Sequence, residues 1–269
     1  MRVENRFPQV PELRMTNILT GLKQKTVVVT GGGNGIGREM SIRFASCGAR
    51  VVSVDIDDVA NQKTAALAHD SGGKCQAVQG DVSLADDVSR AFAIAAPVDV
   101  LINNAFSATG DGLLHEVSED IWDRVLTVTL KSVYLCSRAV LPEMMQREQG
   151  VIVNISSVNA LTGIHLAAYT AAKGAINSLT QLLASQYGQY GIRVNAICPG
   201  TIMTENSRAV YEKMPEREFQ LRKLYPGAEF GQPSDVASFA VYLASDAGRF
   251  FNGAVIPLDG GLSAVHRLL

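Results

Sequence analysis

Short apolar runs that alternate with longer helical patterns constrain the fold of this chain more than any other feature. Seven such runs are largely apolar and end at turn residues; they cover residues 26–30, 50–54, 75–79, 98–102, 151–155, 193–198 and 254–258. Continuous apolar runs suit strands that are covered on both faces, and helices between strands imply right-handed crossovers in a parallel sheet. The sequence therefore predicts an α/β fold: a doubly wound, seven-stranded parallel sheet with helices on both faces.

Charge and composition exclude several classes of protein. The formal net charge is −2, with 24 Lys and Arg scattered among 26 acidic residues, so we expect no nucleic-acid partner. The four cysteines stand far apart, with no histidine at ligand spacing, and we expect no metal site and no disulfide framework. No apolar run reaches the roughly 18 residues that cross a bilayer, and residues 1–21 are too polar for a signal peptide. We expect no membrane association and a cytoplasmic location.

A glycine-rich loop follows the first predicted strand. It reads T-G-G-G-N-G-I-G from Thr30, and a helical pattern over residues 38–47 comes next. Glycines let the backbone approach a pyrophosphate, whose charge the free N–H groups of a helix start would meet. We expect these contacts from Gly31, Gly33, Asn34, Gly35, Ile36 and Gly37. The spacing is G-x-x-x-G-x-G rather than the strict fingerprint G-x-G-x-x-G, so a plain tight turn is the alternative.

Asp55 ends the second predicted strand. A carboxylate there can accept both hydroxyls of an adenosine ribose and would repel a 2′-phosphate. Neither Asn34 nor Ile56 supplies the compensating arginine or lysine that an NADP site needs. We therefore expect NAD as the cofactor, with Asp55 and Ile56 among its contacts. The alternative is a structural one, in which Asp55, Asp57 or Asp58 caps the following helix.

Tyr169 and Lys173 stand four residues apart, which places both side chains on one face of a helix. An ammonium beside a phenol favours the phenolate and lowers the phenol pKa, which makes the pair a proton-transfer device. Taken alone the spacing is a weak signal, because such pairs arise by chance and most are solvated helix faces. Its meaning depends on the motifs around it.

Several separated motifs stand in a fixed order along the chain. After the glycine loop come Asp81-Val82, Asn103-Asn104-Ala105, Ser157 in Asn-Ile-Ser-Ser, Tyr169 with Lys173, Pro199-Gly200-Thr201-Ile202-Met203-Thr204 and Asp259-Gly260-Gly261. In this order the chain resembles the short-chain dehydrogenase/reductase family, from about Leu19 to Ser263. We expect an N-terminal extension over residues 1–20 and one Rossmann-type dehydrogenase domain over residues 21–269. Within that domain the long, charged stretch at about 201–230 would be a substrate lid.

The resemblance also implies a role for each motif. Tyr169 would be the general acid/base for an alcohol oxygen, and Ser157 would hydrogen-bond the same oxygen. Lys173 would lower the Tyr169 pKa and bind the nicotinamide ribose. Ile202 and Thr204 would orient the nicotinamide. The other cofactor contacts that the resemblance implies are Asp81, Val82, Asn103, Ala105, Pro199 and Gly200.

Thr129 occupies a position where the family usually has asparagine. In the family that residue's main-chain carbonyl holds a water at the end of a proton relay through the lysine, and any residue has a carbonyl. We therefore expect the relay to survive with altered efficiency. The Thr129 hydroxyl can also bond back to a carbonyl one turn earlier and disturb its helix.

Further departures from the family pattern lie near the same site. Phe106 stands where a glycine is common, so it either forms an aromatic wall at the site or is buried against the sheet. Eleven residues separate Ser157 from Tyr169, one fewer than is usual in the family, which leaves Ser156 as an alternative hydroxyl. His165 lies between them and faces either the substrate or solvent.

Together the motifs predict an NAD-dependent oxidoreductase that transfers a hydride between the cofactor and a secondary alcohol or ketone. Two alternatives stay open: an NADPH-linked 3-oxoacyl reductase, which Asp55 disfavours, and a catalytically silent nucleotide-binding sensor, which the missing asparagine supports. By resemblance, helices over residues 118–145 and 169–190 pair subunits, so we expect a homotetramer or a homodimer. The sequence does not select the alcohol.

Overall fold

Seven parallel strands form the centre of the molecule in a computed structural model that describes residues 21–264. In chain order they are β1 (Thr26–Thr30), β2 (Arg50–Asp55), β3 (Lys74–Gln79), β4 (Val100–Asn103), β5 (Gly150–Ile155), β6 (Ile192–Pro199) and β7 (Val255–Leu258). Their order in the sheet is β3-β2-β1-β4-β5-β6-β7, and every neighbouring pair is parallel. The predicted doubly wound α/β fold is confirmed, whereas the predicted N-terminal extension lies outside the described residues.

Helices cover both faces of this sheet. In chain order they are α1 (Gly35–Ser46), α2 (Asp58–Asp70), α3 (Ala85–Ala95), α4 (Glu119–Leu126), α5 (Ser132–Gln146), α6 (Ala167–Tyr187), α7 (Glu205–Glu212), α8 (Pro215–Arg222) and α9 (Pro233–Ala244). A π-helical turn, Thr127–Lys131, joins α4 to α5. The helices α7 and α8 belong to the segment between β6 and α9, which we call the 201–231 segment.

Burial on both faces explains why central strands such as β1 and β4 lack the alternating pattern that the edge strand β3 shows. On one face α1 and α9 pack against the strands through Met40, Phe44 and Val241. On the other face α3 and α5 pack through Phe92 and Met144. Each large apolar side chain buried in this way contributes about 1.5–3 kcal/mol to folding. The central strand β1 is buried along its whole length.

Strand bounds differ from the predictions by one or two residues. The fourth strand begins at Val100 rather than at Val98. The Val98 carbonyl accepts a hydrogen bond from the Arg147 side chain, and the Asp99 carboxylate accepts the Thr26 N–H at 2.9 Å. A side chain thus takes the Val98 carbonyl, whereas the Asp99 main chain still bonds to Thr26 and Val151 on the neighbouring strands.

The long helix predicted over residues 118–145 runs without a break over residues 119–146 but changes its winding at the π-helical turn. By length and composition, residues 119–146 could cross a bilayer, and no other helix among residues 21–264 meets that test. Half of its apolar window is buried within the fold. This is the character of a core helix that packs on a sheet.

The predicted motifs meet at one edge of the sheet. The strand order diverges at β1, which lies between β2 and β4, and open α/β sheets bind ligands beyond the carboxyl ends of the strands at such a point. The strands β1, β4, β5 and β6 lead there into residues 31–37, 104–105, 156–157 and 199–204 respectively. The fold therefore brings four motifs from distant parts of the sequence to one crevice.

Candidate active site

The glycine loop, residues 31–37, turns tightly from β1 into α1. Gly31 and Gly35 have φ angles of 64° and 52°, in the left-handed region that favours glycine. A Cβ atom on Gly37 would clash with the Gly31 carbonyl oxygen. Asn34, the N-cap residue of α1, makes no side-chain capping hydrogen bond. The first N–H groups of α1 therefore remain suited to an anion such as a pyrophosphate.

Two asparagines after β4 have opposite orientations. The Asn104 Nδ2 atom donates to the Thr30 and Gly31 carbonyls, both at 3.0 Å, and so braces the glycine loop. Asn103 turns into the core, where its Nδ2 atom donates to Asn154 Oδ1 at 2.8 Å. The predicted contact of Asn103 with a cofactor can therefore involve only its main chain, since the side chain is committed elsewhere.

Asp55 lies directly against the glycine loop. Its Oδ2 atom accepts the Gly33 N–H at 2.8 Å, and its Oδ1 atom accepts the Asp57 N–H at 2.9 Å. Asp57 is the residue that caps α2, through a hydrogen bond from the Ala60 N–H at 3.0 Å. The alternative in which Asp55 caps this helix is wrong. Asp55 instead holds a carboxylate at the place where the predicted adenosine ribose would bind.

Arg38, on α1, is a cation beside the loop whose donors are all engaged. Its Nε and Nη2 atoms donate to the Gly33 carbonyl at 3.0 and 2.7 Å, and Nη2 also donates to Asn34 Oδ1 at 2.9 Å. Its Nη1 atom donates to both carboxylate oxygens of Glu205 at 3.0 and 2.9 Å. The Arg38 side chain is only 11% exposed. Arg38 therefore ties the loop to α7 and has no donor left for a phosphate.

The predicted adenine side lies next to Asp55. Ile56 follows β2 and is 66% exposed, Val82 is buried, and Asp81 Oδ1 accepts the Ser83 N–H at 2.9 Å. An exposed isoleucine beside the carboxylate offers an apolar surface for a flat base. The other predicted cofactor residues also stand at the carboxyl ends of strands or in the first turn of α1; they are Ile36, Ala105, Pro199 and Gly200.

Tyr169 and Lys173 lie on α6, facing the end of β5. The Lys173 ammonium is buried, donates to the Ile155 carbonyl and lies 5.4 Å from the centre of the Tyr169 ring. The Ser157 Oγ atom accepts the Asn159 N–H at 3.2 Å, and the hydroxyl lies near enough to the Tyr169 phenol to lower its pKa. Ser156 points elsewhere, because its hydroxyl donates to the Lys173 main-chain carbonyl at 3.1 Å. Of the two serines that the sequence left open, Ser157 is the one beside the phenol.

Burial dominates the proton affinities of this pair. It raises the pKa of Tyr169 to about 12, against the opposing effect of the Ser157 hydroxyl. Burial also lowers the pKa of Lys173 to about 7. Cys198, on β6, is a third ionisable group against both side chains, and burial raises its pKa as well. The expectation that Lys173 lowers the pKa of Tyr169 is wrong for this structure, because burial raises that pKa and the opposing effect comes from Ser157, so the phenol is protonated at neutral pH.

Thr129 lies in the π-helical turn and is completely buried. Its Oγ1 atom accepts the Ser107 N–H and donates to the Ser107 carbonyl, both at 3.1 Å. The expectation that this hydroxyl bonds back to its own helix is wrong, because the loop after β4 occupies it. Thr129 thus anchors residues 105–112, a loop that passes beside Tyr169.

Phe106 forms an aromatic wall beside the phenol. Its side chain is 57% exposed, so the alternative of a buried phenylalanine is wrong. Its ring meets the Tyr169 ring edge to face, with centroids 5.7 Å apart, and the Lys173 Nζ atom lies 5.6 Å from its centre. His165 is exposed and its carbonyl accepts a hydrogen bond from Asn159 at 2.7 Å. A contact of the imidazole with substrate stays a prediction.

The loop after β6 faces the glycine loop. Ile202 is nearly buried and pairs with Gly231 in an isolated β-bridge, which fixes both ends of the 201–231 segment. Thr204 caps α7, since its Oγ1 atom accepts the Ser207 N–H at 3.1 Å, as the capping alternative requires. A Cβ atom on Gly35 would approach the Thr204 methyl group to 3.0 Å. The predicted pyrophosphate and nicotinamide contacts are therefore neighbours.

The cysteines and acidic residues form no metal centre in the described part of the chain. Among residues 21–264, no group of three His, Cys, Asp or Glu side chains is placed to hold a metal ion. All four cysteines are free thiols; Cys75, Cys136 and Cys198 are buried, and Cys47 is partly exposed.

Known proteins share both the sequence and the fold of this chain. A family model described as enoyl-(acyl carrier protein) reductase matches residues 31–263. The 2-(S)-hydroxypropyl-CoM dehydrogenase 3 of Xanthobacter autotrophicus is 37% identical over 91% of this chain and 98% of that protein. The crystal structure of a short-chain dehydrogenase/reductase oxidoreductase from Burkholderia thailandensis has a TM-score of 0.84 and 35% identity, covering 91% and 95% of the two chains. This chain belongs to the short-chain dehydrogenase/reductase family.

As a member of this family, the protein is an oxidoreductase with a site for a nicotinamide cofactor. A putative 2-deoxy-D-gluconate 3-dehydrogenase from Agrobacterium tumefaciens, solved with bound NADP, matches with a TM-score of 0.85 and 31% identity, covering 93% of this chain and all of that one. The relatives thus act on chemically different substrates, and family membership fixes the reaction type rather than the substrate.

Sequence reasoning missed three residues of this short-chain dehydrogenase/reductase site: Arg38, Asp111 and Tyr225. The Asp111 carboxylate accepts the Tyr169 N–H at 2.8 Å, and the Tyr225 hydroxyl accepts the Thr201 N–H at 2.6 Å. Asp111 and Tyr225 act on residues that are distant in sequence, as Arg38 does through Glu205, so no local pattern reveals these contacts. The local signals were the four-residue spacing of Asn34 and Arg38 and the Asp-Gly pair that begins at Asp111, which is typical of a turn.

Proposed function

We propose that this protein is an NAD-dependent oxidoreductase that interconverts a secondary alcohol and its ketone, with Tyr169 as the general acid/base. The observation that carries the proposal is the convergence of Ser157, Tyr169 and Lys173 on one side of the crevice, with the uncapped start of α1 on the other. Acid/base groups and an anion site at one sheet edge suit a reaction on a bound dinucleotide.

The residues present fit a dinucleotide. The glycines of the loop leave no room for side chains, the first turn of α1 offers free N–H groups, and the Asp55 carboxylate can accept ribose hydroxyls. Lys173 is placed to bind a second ribose, near the Ile155 carbonyl. The nicotinamide supplies the hydride acceptor or donor, chemistry that no side chain of this site provides.

The proton is handled by the chain itself. In oxidation, the Tyr169 phenolate takes the proton of the alcohol hydroxyl, and in reduction the phenol donates its proton to the carbonyl oxygen. The Ser157 hydroxyl donates a hydrogen bond to the same oxygen and stabilises its developing charge. Because burial raises the pKa of Tyr169 to about 12, the phenol is ready to donate at neutral pH and oxidation is favoured by alkaline pH. A protonated Lys173 would help to form the phenolate.

Two observations support NAD rather than NADP. The Asp55 carboxylate lies against the glycine loop at the end of β2, where it would repel the 2′-phosphate of NADP. The N–H groups of Arg38, a cation beside the same loop, already donate hydrogen bonds to Gly33, Asn34, Thr64 and Glu205, so none remains for a 2′-phosphate. The same argument disfavours the NADPH-linked 3-oxoacyl reductase.

The decisive experiment mixes the purified protein with NAD or NADP and a panel of sugar, steroid and hydroxyacyl alcohols, at neutral and alkaline pH. We expect formation of reduced nicotinamide with at least one secondary alcohol, faster with NAD than with NADP. Tight binding of cofactor without hydride transfer to any alcohol or ketone would contradict the proposal and favour the silent sensor.

Assembly and location extend the proposal. We propose that the exposed sides of α5 and α6, which carry Tyr134 and Leu182 at 49% and 50% exposure, pair subunits into a homotetramer or homodimer in the cytoplasm. The 201–231 segment, joined to the glycine loop by the Arg38–Glu205 ion pair, would serve as the substrate lid. Light scattering of the purified protein tests the assembly, and a monomer would contradict it.

A further inference from the structure

The helix that carries Tyr169 lacks a cap of its own. Leu166, the N-cap residue of α6, has a φ of 72°, which is unfavourable for a leucine, and its side chain makes no capping hydrogen bond. Helices begin with N–H groups that have no partner within the helix, and Ser, Thr, Asp or Asn usually supplies one locally. The start of α6 therefore depends on a partner from elsewhere in the chain.

That partner is the loop after β4. The Asp111 Oδ2 atom accepts the Tyr169 N–H at 2.8 Å, and its Oδ1 atom accepts the Ala168 N–H at 3.2 Å. The Gly112 carbonyl accepts the Ala167 N–H at 3.0 Å. The first three N–H groups of α6 are thus all satisfied by two consecutive residues that lie more than fifty positions earlier in the sequence.

The same loop is held firmly at its other end. Ser107 makes two hydrogen bonds with the buried Thr129 hydroxyl, and Phe106 packs its ring edge to face against the Tyr169 ring. Residues 105–112 therefore contact Tyr169 twice, at its ring through Phe106 and at its backbone through Asp111. The loop is anchored on the π-helical turn, outside α6, so it fixes Tyr169 relative to the rest of the sheet.

We infer that Asp111 is a positioning residue for the proton transfer, which sets the distance between the Tyr169 phenol and the Ser157 hydroxyl by holding the first turn of α6. The inference rests on the proposed role of Tyr169. Asp111 itself bonds to backbone N–H groups and has no part in the chemistry. Misplacing a reacting group by about 1 Å can cost about 10²-fold in rate, so a displaced first turn affects turnover more than cofactor binding.

Two neutral variants of Asp111 separate the effect of its hydrogen bonds to α6 from the effect of its negative charge. Asp111→Ala removes both acceptors, whereas Asp111→Asn has nearly the same shape and keeps one oxygen that can accept the Tyr169 N–H. Both remove the same negative charge from a region whose ionisable groups are Tyr169, Lys173 and Cys198. Any difference between the two variants therefore reports the hydrogen bonds. Glu116→Ala, which changes an exposed acid four residues after the end of this loop, is the matched control.

We expect kcat of Asp111→Ala to lie at least about 10-fold below that of Asp111→Asn, with the same dissociation constant for NAD. The kcat profile for alcohol oxidation should lie at higher pH in Asp111→Ala than in Asp111→Asn, because the phenol moves away from the Ser157 hydroxyl, which favours its ionisation. Glu116→Ala should match the unmodified protein. Equal kcat and superimposable profiles in the two Asp111 variants would overturn the inference.

Amide hydrogen exchange tests the same contact without any activity. Asp111→Ala should lose protection at Ala168 and Tyr169 while the rest of α6 keeps it, and Asp111→Asn should retain part of the protection. Unchanged exchange in both variants would overturn the inference. If Asp111→Ala does not fold, Asp111→Asn is compared with Glu116→Ala, and a loss of protection at Ala168, whose acceptor oxygen the amide nitrogen replaces, supports the assignment, whereas unchanged protection there overturns it. If the unmodified protein transfers no hydride, the proposed function fails, and exchange alone then decides the role of Asp111 at α6.

Discussion

Asp55→Asn is the sharpest test of how this short-chain dehydrogenase/reductase selects its cofactor. The carboxylate accepts the Gly33 N–H at 2.8 Å and the Asp57 N–H at 2.9 Å. Asparagine has the same shape and retains one accepting oxygen, so the substitution removes the charge and one hydrogen bond. The lost hydrogen bond costs folding about 1 kcal/mol, which leaves a stable protein for the measurement.

The expected change follows from the removed repulsion. Two unit charges about 5 Å apart, at an effective dielectric constant of about 20, repel by about 3 kcal/mol. This corresponds to about a 10²-fold difference in affinity for a cofactor with a 2′-phosphate. Asp55 is partly exposed, and solvent screens part of the repulsion. We expect the preference for NAD over NADP to fall by about 10- to 100-fold.

The assay compares kcat/KM for NAD and NADP with one alcohol substrate, at low and at high salt. The change should arise mainly from a lower KM for NADP and should be smaller at high salt. Asp58→Asn is the matched control, since its carboxylate lies on α2 and contacts the Gln62 side chain at 3.3 Å. An unchanged ratio of the two cofactors in Asp55→Asn would refute the assignment of Asp55 as the selector.

Two further substitutions test the buried part of the site. Thr129→Ala leaves the Ser107 N–H and carbonyl without their partner, so we expect the free energy of unfolding in urea to fall by about 1–3 kcal/mol. Thr129→Ser keeps the hydroxyl and should be close to native in stability. Equal losses in the two variants would contradict the role of the Thr129 hydroxyl in anchoring Ser107. Burial lowers the pKa of Lys173 from 10.5 to about 7, so between these pH values the unfolded chain binds more protons than the folded one. The difference in unfolding free energy between the native protein and Lys173→Met should therefore rise from pH 7 to pH 10 and stay constant below pH 7; a flat difference throughout would contradict the buried ammonium.

The fold was predictable because its strongest signal is local. A central strand such as β1 is covered on both faces, so nearly every residue in it must be apolar, and this requirement is visible in five consecutive residues. The start of β4 was misplaced because Arg147, far along the chain, binds the Val98 carbonyl. A short apolar run cannot reveal a side chain that arrives from another element.

The site was predictable where its geometry follows from one helix. Tyr169 and Lys173 share a face of α6 because they are four residues apart, and Ser157 follows directly from a strand end. The pKa values were not predictable, because burial depends on everything packed around α6. Ser107, the partner of Thr129, is 22 residues away, and Tyr169, the partner of Asp111, is 58 residues away. Contacts between residues so far apart in sequence produce no local sequence pattern.

Tyr169→Phe is the most direct test of Tyr169 as the general acid/base. The substitution removes one hydroxyl and leaves the ring, its contact with Phe106 and the cofactor site in place. Formation of reduced nicotinamide is measured with the best alcohol, alongside the dissociation constant for NAD. We expect a loss of at least about 10²-fold in kcat with unchanged NAD affinity. Turnover retained at the native rate in Tyr169→Phe would contradict the assignment of Tyr169 as the general acid/base.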